Sequence, residues 1–190
     1  MSWGLPLNKK FVGITCDSLS FKNICIDEEV EIPVEDHVGA FGSVRRYDVH
    51  KGIDLYANVG DPVFAVEDGV VCLIRPFTGI KVDCPWWLDT DAVNISGMSG
   101  VVVYGEIEVN PEFKVGDEIK QDDFLGNVKR VLKKDKGRPT SMLHLALHSH
   151  GVQSNGEWKI GKEKPKGLLD PTIYLIEAML NKNTITKEIL

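Results

Sequence analysis

Short runs of alternating apolar and polar residues dominate this chain, and long helical stripes are nearly missing. Val63, Ala65 and residues 69–74, 92–95 and 101–104 form β-branched stretches bounded by Gly, Pro, Asp or Asn, the pattern of short strands. Between residues 1 and 166 no ten-residue stretch has the spacing of an amphipathic helix. One helix is predicted near the end. Asp170 supplies an N-cap, Pro171 the first helical position, and Ile173, Leu175, Ile176, Met179 and Leu180 an apolar stripe. In residues 142–150, strand alternation sends Leu143, Leu145 and Leu147 to one face and Met142, His144, Ala146, His148 and His150 to the other.

An internal echo refines the architecture. Val59-Gly60-Asp61-Pro62-Val63 followed by Gly69-Val70-Val71 is matched by Val115-Gly116-Asp117-Glu118-Ile119 followed by Gly126-Asn127-Val128. A Gly-Asp turn that feeds a strand, then a second glycine that opens the next, reads as one β-hairpin used twice. The expected fold is therefore all-β, an antiparallel β-sandwich or flattened barrel with a C-terminal helix.

Composition narrows the function. The 190 residues carry 22 Lys+Arg against 28 Asp+Glu, a net charge of −6, and 43% hydrophobic residues, ordinary for a soluble globular protein. A net-negative chain without clustered Lys and Arg argues against a general nucleic-acid binder. The acidic stretch at 27–36 and the basic one at 129–138 read as solvated turns. No apolar run has the length of a membrane span, and residues 1–10 lack a signal peptide's apolar core, so the expected location is cytoplasmic. Cys16, Cys25, Cys72 and Cys84 lack metal-type spacing and are expected as free buried thiols.

The densest chemical signal is His50-Lys51-Gly52-Ile53-Asp54. A histidine and an aspartate four apart share a face of an extended strand, and imidazole nitrogen with carboxylate oxygen suits zinc. A third ligand is needed. His144 is favoured because it stands opposite the leucines of the most apolar strand, with His148 two pleats along as its rival. A helical metalloprotease motif is excluded, since Leu145 stands where that motif needs Glu. Arg45 and Arg46, upstream of His50, are basic groups able to hold a substrate carboxylate. Trp86 and Trp87 read as a groove lining or as the small core of an insertion.

Phe41-Gly42, His50-Lys51-Gly52-Ile53-Asp54-Leu55, Gly60-Asp61-Pro62-Val63-Phe64-Ala65 and Asp68-Gly69-Val70-Val71 occur in this order. With Val115-Gly116-Asp117, Leu125-Gly126, Leu143-His144-Leu145 and Leu169-Asp170-Pro171-Thr172, the succession resembles the lysostaphin-type (LytM-like) zinc metallopeptidases over about residues 39–176. The resemblance implies a metallopeptidase-like domain at 39–176, a packed N-terminal extension at 1–38, and a helix end and tail at 177–190. It implies Zn2+ held by His50, Asp54 and His144, and hydrolysis of a peptide or peptidoglycan-like substrate through a zinc-bound water. Two family histidines are replaced here, one by Met142 and one by Glu106. Glu106 is then the candidate base, with Tyr104, Arg46 and His148 as candidate oxyanion or substrate contacts. Period-2 alternation places Val102, Tyr104 and Glu106 on one face. The alternative is a catalytically inactive metal-binding or regulatory module of the same fold. A biotinyl or lipoyl carrier is disfavoured, because neither echoed turn presents a suitable lysine.

Overall fold

Alternation lays the strands, and a single apolar core decides which face of each points inward. In the computed structural model the described residues are 2–16, 28–135, 137–154 and 156–188, with side chains described to residue 182. They form β1 (Lys10–Thr15), β2 (Glu29–Pro33), β3 (Ile53–Tyr56), β4 (Pro62–Phe64), β5 (Gly69–Thr78), β6 (Thr90–Gly97), β7 (Val101–Val109), β8 (Glu118–Ile119), β9 (Phe124–Val128), β10 (Met142–His148), β11 (Leu168–Leu169) and α1 (Thr172–Glu188). Nine strands make one antiparallel sheet in the order β11-β10-β7-β6-β5-β8, with β3 on β10 and β9 joining β7 to β4. The all-β antiparallel fold with a C-terminal helix is as the sequence predicts. Among the described strands the sheet does not close into a barrel.

The core draws on Val71, Val93, Ile95, Val102, Tyr104, Leu143, Leu145 and Leu147 from the sheet, and on Leu175, Ala178 and Met179 from α1. Burying each Leu, Ile or Val contributes roughly 1.5–3 kcal/mol. The three leucines therefore pin the facing of β10, and with it the opposite facing of His144. Trp3, Leu5 and Leu7 are buried in the same core, and Trp3 stacks on Tyr174 at 4.8 Å. Asp170 caps the helix by accepting from the Thr172 N–H at 2.9 Å. No helix among the described residues is long and apolar enough to cross a membrane.

Three expectations change. The acidic stretch is not simply a turn: Val30 and Ile32 alternate with Glu29 and Glu31, are buried, and form β2, which pairs in parallel with β1. The echoed segments are not two self-paired hairpins. Their strands pair crosswise, β4 with β9 and β5 with β8. The turns themselves do repeat: Asp61 accepts from the Asn58 N–H at 2.6 Å and Asp117 from the Lys114 N–H at 2.8 Å. Cys16, Cys72 and Cys84 are free, but none is fully buried: Cys72 and Cys84 are half-buried, and Cys16, which follows β1 at the surface, is exposed; Cys25 lies outside the described residues.

Candidate metal centre

Register brings the candidate ligands together. His144 on β10 stands directly opposite Asp54 on β3 and, on its other side, opposite Gly105 on β7. Directly opposed residues carry their Cβ atoms about 5 Å apart, so the Asp54 and His144 side chains meet on the face away from the core. His50 arrives from the loop before β3. Its N–H donates to Ser43, its carbonyl accepts from Gly42, and its Nδ1 donates to the Ala40 carbonyl at 2.9 Å. That last bond fixes the ring with Nε2 aimed at the cluster, the usual device for orienting a ligand histidine.

The three donor atoms form a nearly equilateral triangle. His50 Nε2 lies 3.1 Å from Asp54 Oδ1 and 3.2 Å from His144 Nδ1, and the third side is 3.0 Å. Ligands about 2.0–2.1 Å from a tetrahedral zinc stand about 3.3 Å apart, so this donor set fits that ion in type and spacing. Gly52 is required by the same packing. A Cβ there would lie 2.6 Å from the Leu145 carbonyl oxygen and 2.7 Å from His144 Nε2. Gly52→Ala is expected to cost about 1–3 kcal/mol by overpacking and to weaken zinc binding by displacing the imidazole, read by urea unfolding and a zinc titration.

Arg45, not Arg46, belongs to the site. It stands on the short hairpin closed by the Val44–Val49 bridge, and its guanidinium reaches Asp54 Oδ2 at 2.5 Å and the Val38 carbonyl at 3.0 and 3.2 Å. Arg46 is exposed, its guanidinium over the Tyr47 ring, and does not line the groove over the cluster. Burial opposes ionisation of Asp54, but the charges of His50 and Arg45 and the hydrogen bonds of His144 and His50 override it. The carboxyl is held well below its ordinary range. Burial pushes His144 down to about 4, against the pull of Asp54, so its ring is neutral at pH 7.

Glu106 reaches the site through a break in strand geometry. β7 pairs Gly105 with Ala92 and Ile107 with Asp91, which leaves Glu106 as an extra residue, a β-bulge with φ of 66°. Here β7 also changes neighbours, from β10 to β9. Tyr104 and Ile107 face the core, and Glu106 lines the groove with Arg45, His50 and His144. Tyr104 is fully buried, its hydroxyl accepting from the Val66 N–H at 2.8 Å. The expectation that Tyr104 and Glu106 share a face is therefore corrected, and Tyr104 has no part in the cluster.

Glu106 Oε2 is buried without a hydrogen-bond partner. Burial and the Asp54 charge push its carboxyl well above the ordinary range, while Arg45 and Arg138 oppose them. Arg138 thus acts on the site from the basic stretch read as a solvated turn. Tyr56, two residues after Asp54 on the same face of β3, is buried; burial, then the Asp54 charge, raises its phenol. Strict alternation in Ile53-Asp54-Leu55-Tyr56 is the signal that would have found it.

The groove over this cluster measures about 290 Å³. Phe77 forms part of its lining, 5.2 Å from the His144 ring, over Gly105, where a Cβ would meet it at 2.5 Å. Trp87 lines one side and packs against the cluster of Tyr56, Val131, Leu132 and Met142; Trp86 is exposed. Met142 is therefore an apolar plug beside the groove. His148 lines the groove but lies outside the donor triangle, and His150 bonds the Gly97 carbonyl.

No family model and no curated protein matches the chain. Among solved structures it is similar to the catalytic domain of the antimicrobial peptidase lysostaphin from Staphylococcus simulans, at 17% identity over 73% of this chain and 89% of that one, TM-score 0.49. It is also similar to a catalytic-domain variant of the prophage-encoded M23 protein EnpA from Enterococcus faecalis, at 21% identity over 65% and 77%, TM-score 0.44. A putative peptidase M23 from Pseudomonas aeruginosa is similar at 17% identity over 92% and 54%, TM-score 0.44. These three are lysostaphin, an M23 protein and a putative M23 peptidase.

Proposed function

We propose that the chain is a zinc metallopeptidase whose metal is held by His50 Nε2, Asp54 Oδ1 and His144 Nδ1. The observation that carries this reading is the buried triangle of two imidazole nitrogens and one carboxylate oxygen, with sides of 3.0–3.2 Å, opening on a groove. Bound zinc supplies Lewis acidity, polarising a carbonyl and lowering the pKa of water toward ~7. The remaining work belongs to the chain. His50 is locked by Ala40 with Nε2 on the cluster, and Arg45 fixes Asp54 through the oxygen turned away from it. Glu106, lacking a hydrogen-bond partner for Oε2, takes the proton of the attacking water and returns it to the departing amine. The substrate proposed from the motif succession is a peptide of the peptidoglycan type.

Met142 favours a second reading, a metal-binding module without turnover, because its side chain is packed among apolar neighbours and cannot donate a hydrogen bond. One experiment separates them. Purified protein should take up about one equivalent of zinc by elemental analysis, and His50→Ala should lose it. The zinc-loaded protein should cleave cross-linked peptidoglycan or short glycine/alanine peptides. Zinc uptake without cleavage selects the module; no zinc uptake defeats both.

A further inference from the structure

We infer that the end of the groove beside the cluster, formed by Lys51, Arg75 and His148, is a subsite for a carboxylate, so that the preferred ligand is an acidic peptide. The inference rests on the peptidase reading of the same groove and adds a substrate class to it. The three basic side chains come from separate elements and line one groove. Lys51 follows His50, Arg75 lies on β5, and His148 lies four residues along β10 from His144, about 13 Å at ~3.3 Å per residue.

Two observations point to an anion. First, His148 Nδ1 and Arg75 Nε are buried and have no hydrogen-bond partner, and His148 is only 6% exposed. Orphaned polar atoms of this kind are costly unless a ligand or water completes them. Second, two cationic side chains, Lys51 and Arg75, line the same groove as the buried His148, with Asp48 a carboxylate on that lining. Burial lowers His148 against the Val152 backbone, and the charges of Lys51 and Arg75 lower it further. Arg75 has no ion pair among the described residues; its Nη1 donates to the Pro76 carbonyl at 3.4 Å.

Stacking places this charge next to the cluster. The Arg75 guanidinium lies 5.2 Å from the Phe77 ring centroid, and that ring lies 5.2 Å from the ring of His144. A bound anion would offset the charges of Lys51 and Arg75 and favour a proton on His148. A guanidinium offers N–H donors to a carboxylate, and an imidazole on the same groove offers one more. The group supplying it is either the α-carboxylate of a chain end or an acidic side chain.

The test titrates zinc-loaded and metal-free protein with N-acetyl-Ala-Ala, its amide, and N-acetyl-Ala-Glu-amide, followed by calorimetry and by the ring signals of His148. At least one acid should bind about tenfold or more tightly than the neutral amide, with and without zinc. That ratio should fall toward one in Arg75→Gln and His148→Gln, recover in part in Arg75→Lys, and leave zinc content unchanged. Preference for N-acetyl-Ala-Ala assigns a chain end, and preference for the glutamyl peptide assigns a side chain. Equal binding of acids and amide overturns the inference. So does an acid preference seen only with zinc, or one untouched by both glutamine variants. An acid preference in protein that takes up no zinc removes the peptidase reading and leaves the subsite standing.

Discussion

Glu106→Gln in the zinc-loaded protein should lower kcat on glycine/alanine peptides by about 10²- to 10⁴-fold, the usual worth of a positioned acid–base group. The amide keeps the shape and the polar contacts of the carboxyl but cannot take a proton, so zinc stoichiometry and fold should not change. Burial and Asp54 hold this carboxyl well above its ordinary range. A dication carries twice the charge of Asp54 with opposite sign, so bound at the triangle it would more than offset Asp54 and draw the carboxyl toward its ionised form. Loading with zinc should therefore prepare the base as well as the electrophile. Unchanged turnover in the variant, with zinc in place, would remove Glu106 from the mechanism.

The second large effect is on stability, and it belongs to the metal-free protein. The His144 ring titrates near pH 4 in the folded chain and near 6.5 when unfolded. Between these values the unfolded chain binds a proton that the folded chain does not, so stability falls as the pH is lowered from 6.5 to 4. At ~1.4 kcal/mol per unit the loss is on the order of 3 kcal/mol. Glu106 works in the opposite sense. Its raised pKa means that the folded state keeps a proton that the unfolded state releases above about pH 4.5, which lowers stability as pH rises. Asp54, held well below its ordinary range, contributes stability that fails only below about pH 4. The metal-free parent should thus show a shallow pH dependence between 4.5 and 6.5. Glu106→Gln should show the full slope of His144 and gain over the parent as pH rises. Urea unfolding at a series of pH values measures both curves; parallel curves would contradict the opposition.

The period-2 pattern read correctly wherever strands stay regular. Leu143, Leu145 and Leu147 inward and His144 outward follow from it, and the meeting of Asp54 with His144 then needs only that β3 and β10 be neighbours. The pattern fails at Glu106, because one extra residue at positive φ inverts the face of everything beyond it. Nothing in Val102-Val103-Tyr104-Gly105-Glu106 announces that inversion, so Tyr104 read as a groove residue and is in fact core. The choice of Arg45 over Arg46 depends on the Val44–Val49 hairpin, whose bridge joins one exposed and one buried valine and leaves no periodic trace. In the acidic stretch, charge density hid the two apolar residues that make β2.

Crosswise pairing of the echoed segments bears on how the chain reaches this state. Val63 must find Gly126 and Gly69 must find Ile119, so roughly fifty to sixty residues of chain must loop before either contact forms. Such non-local pairing slows folding, on a scale of milliseconds to seconds for comparable β topologies. A chain emerging during synthesis pairs β5 with β6 at once, but leaves the other edge of β5, and β4, waiting until β8 and β9 follow.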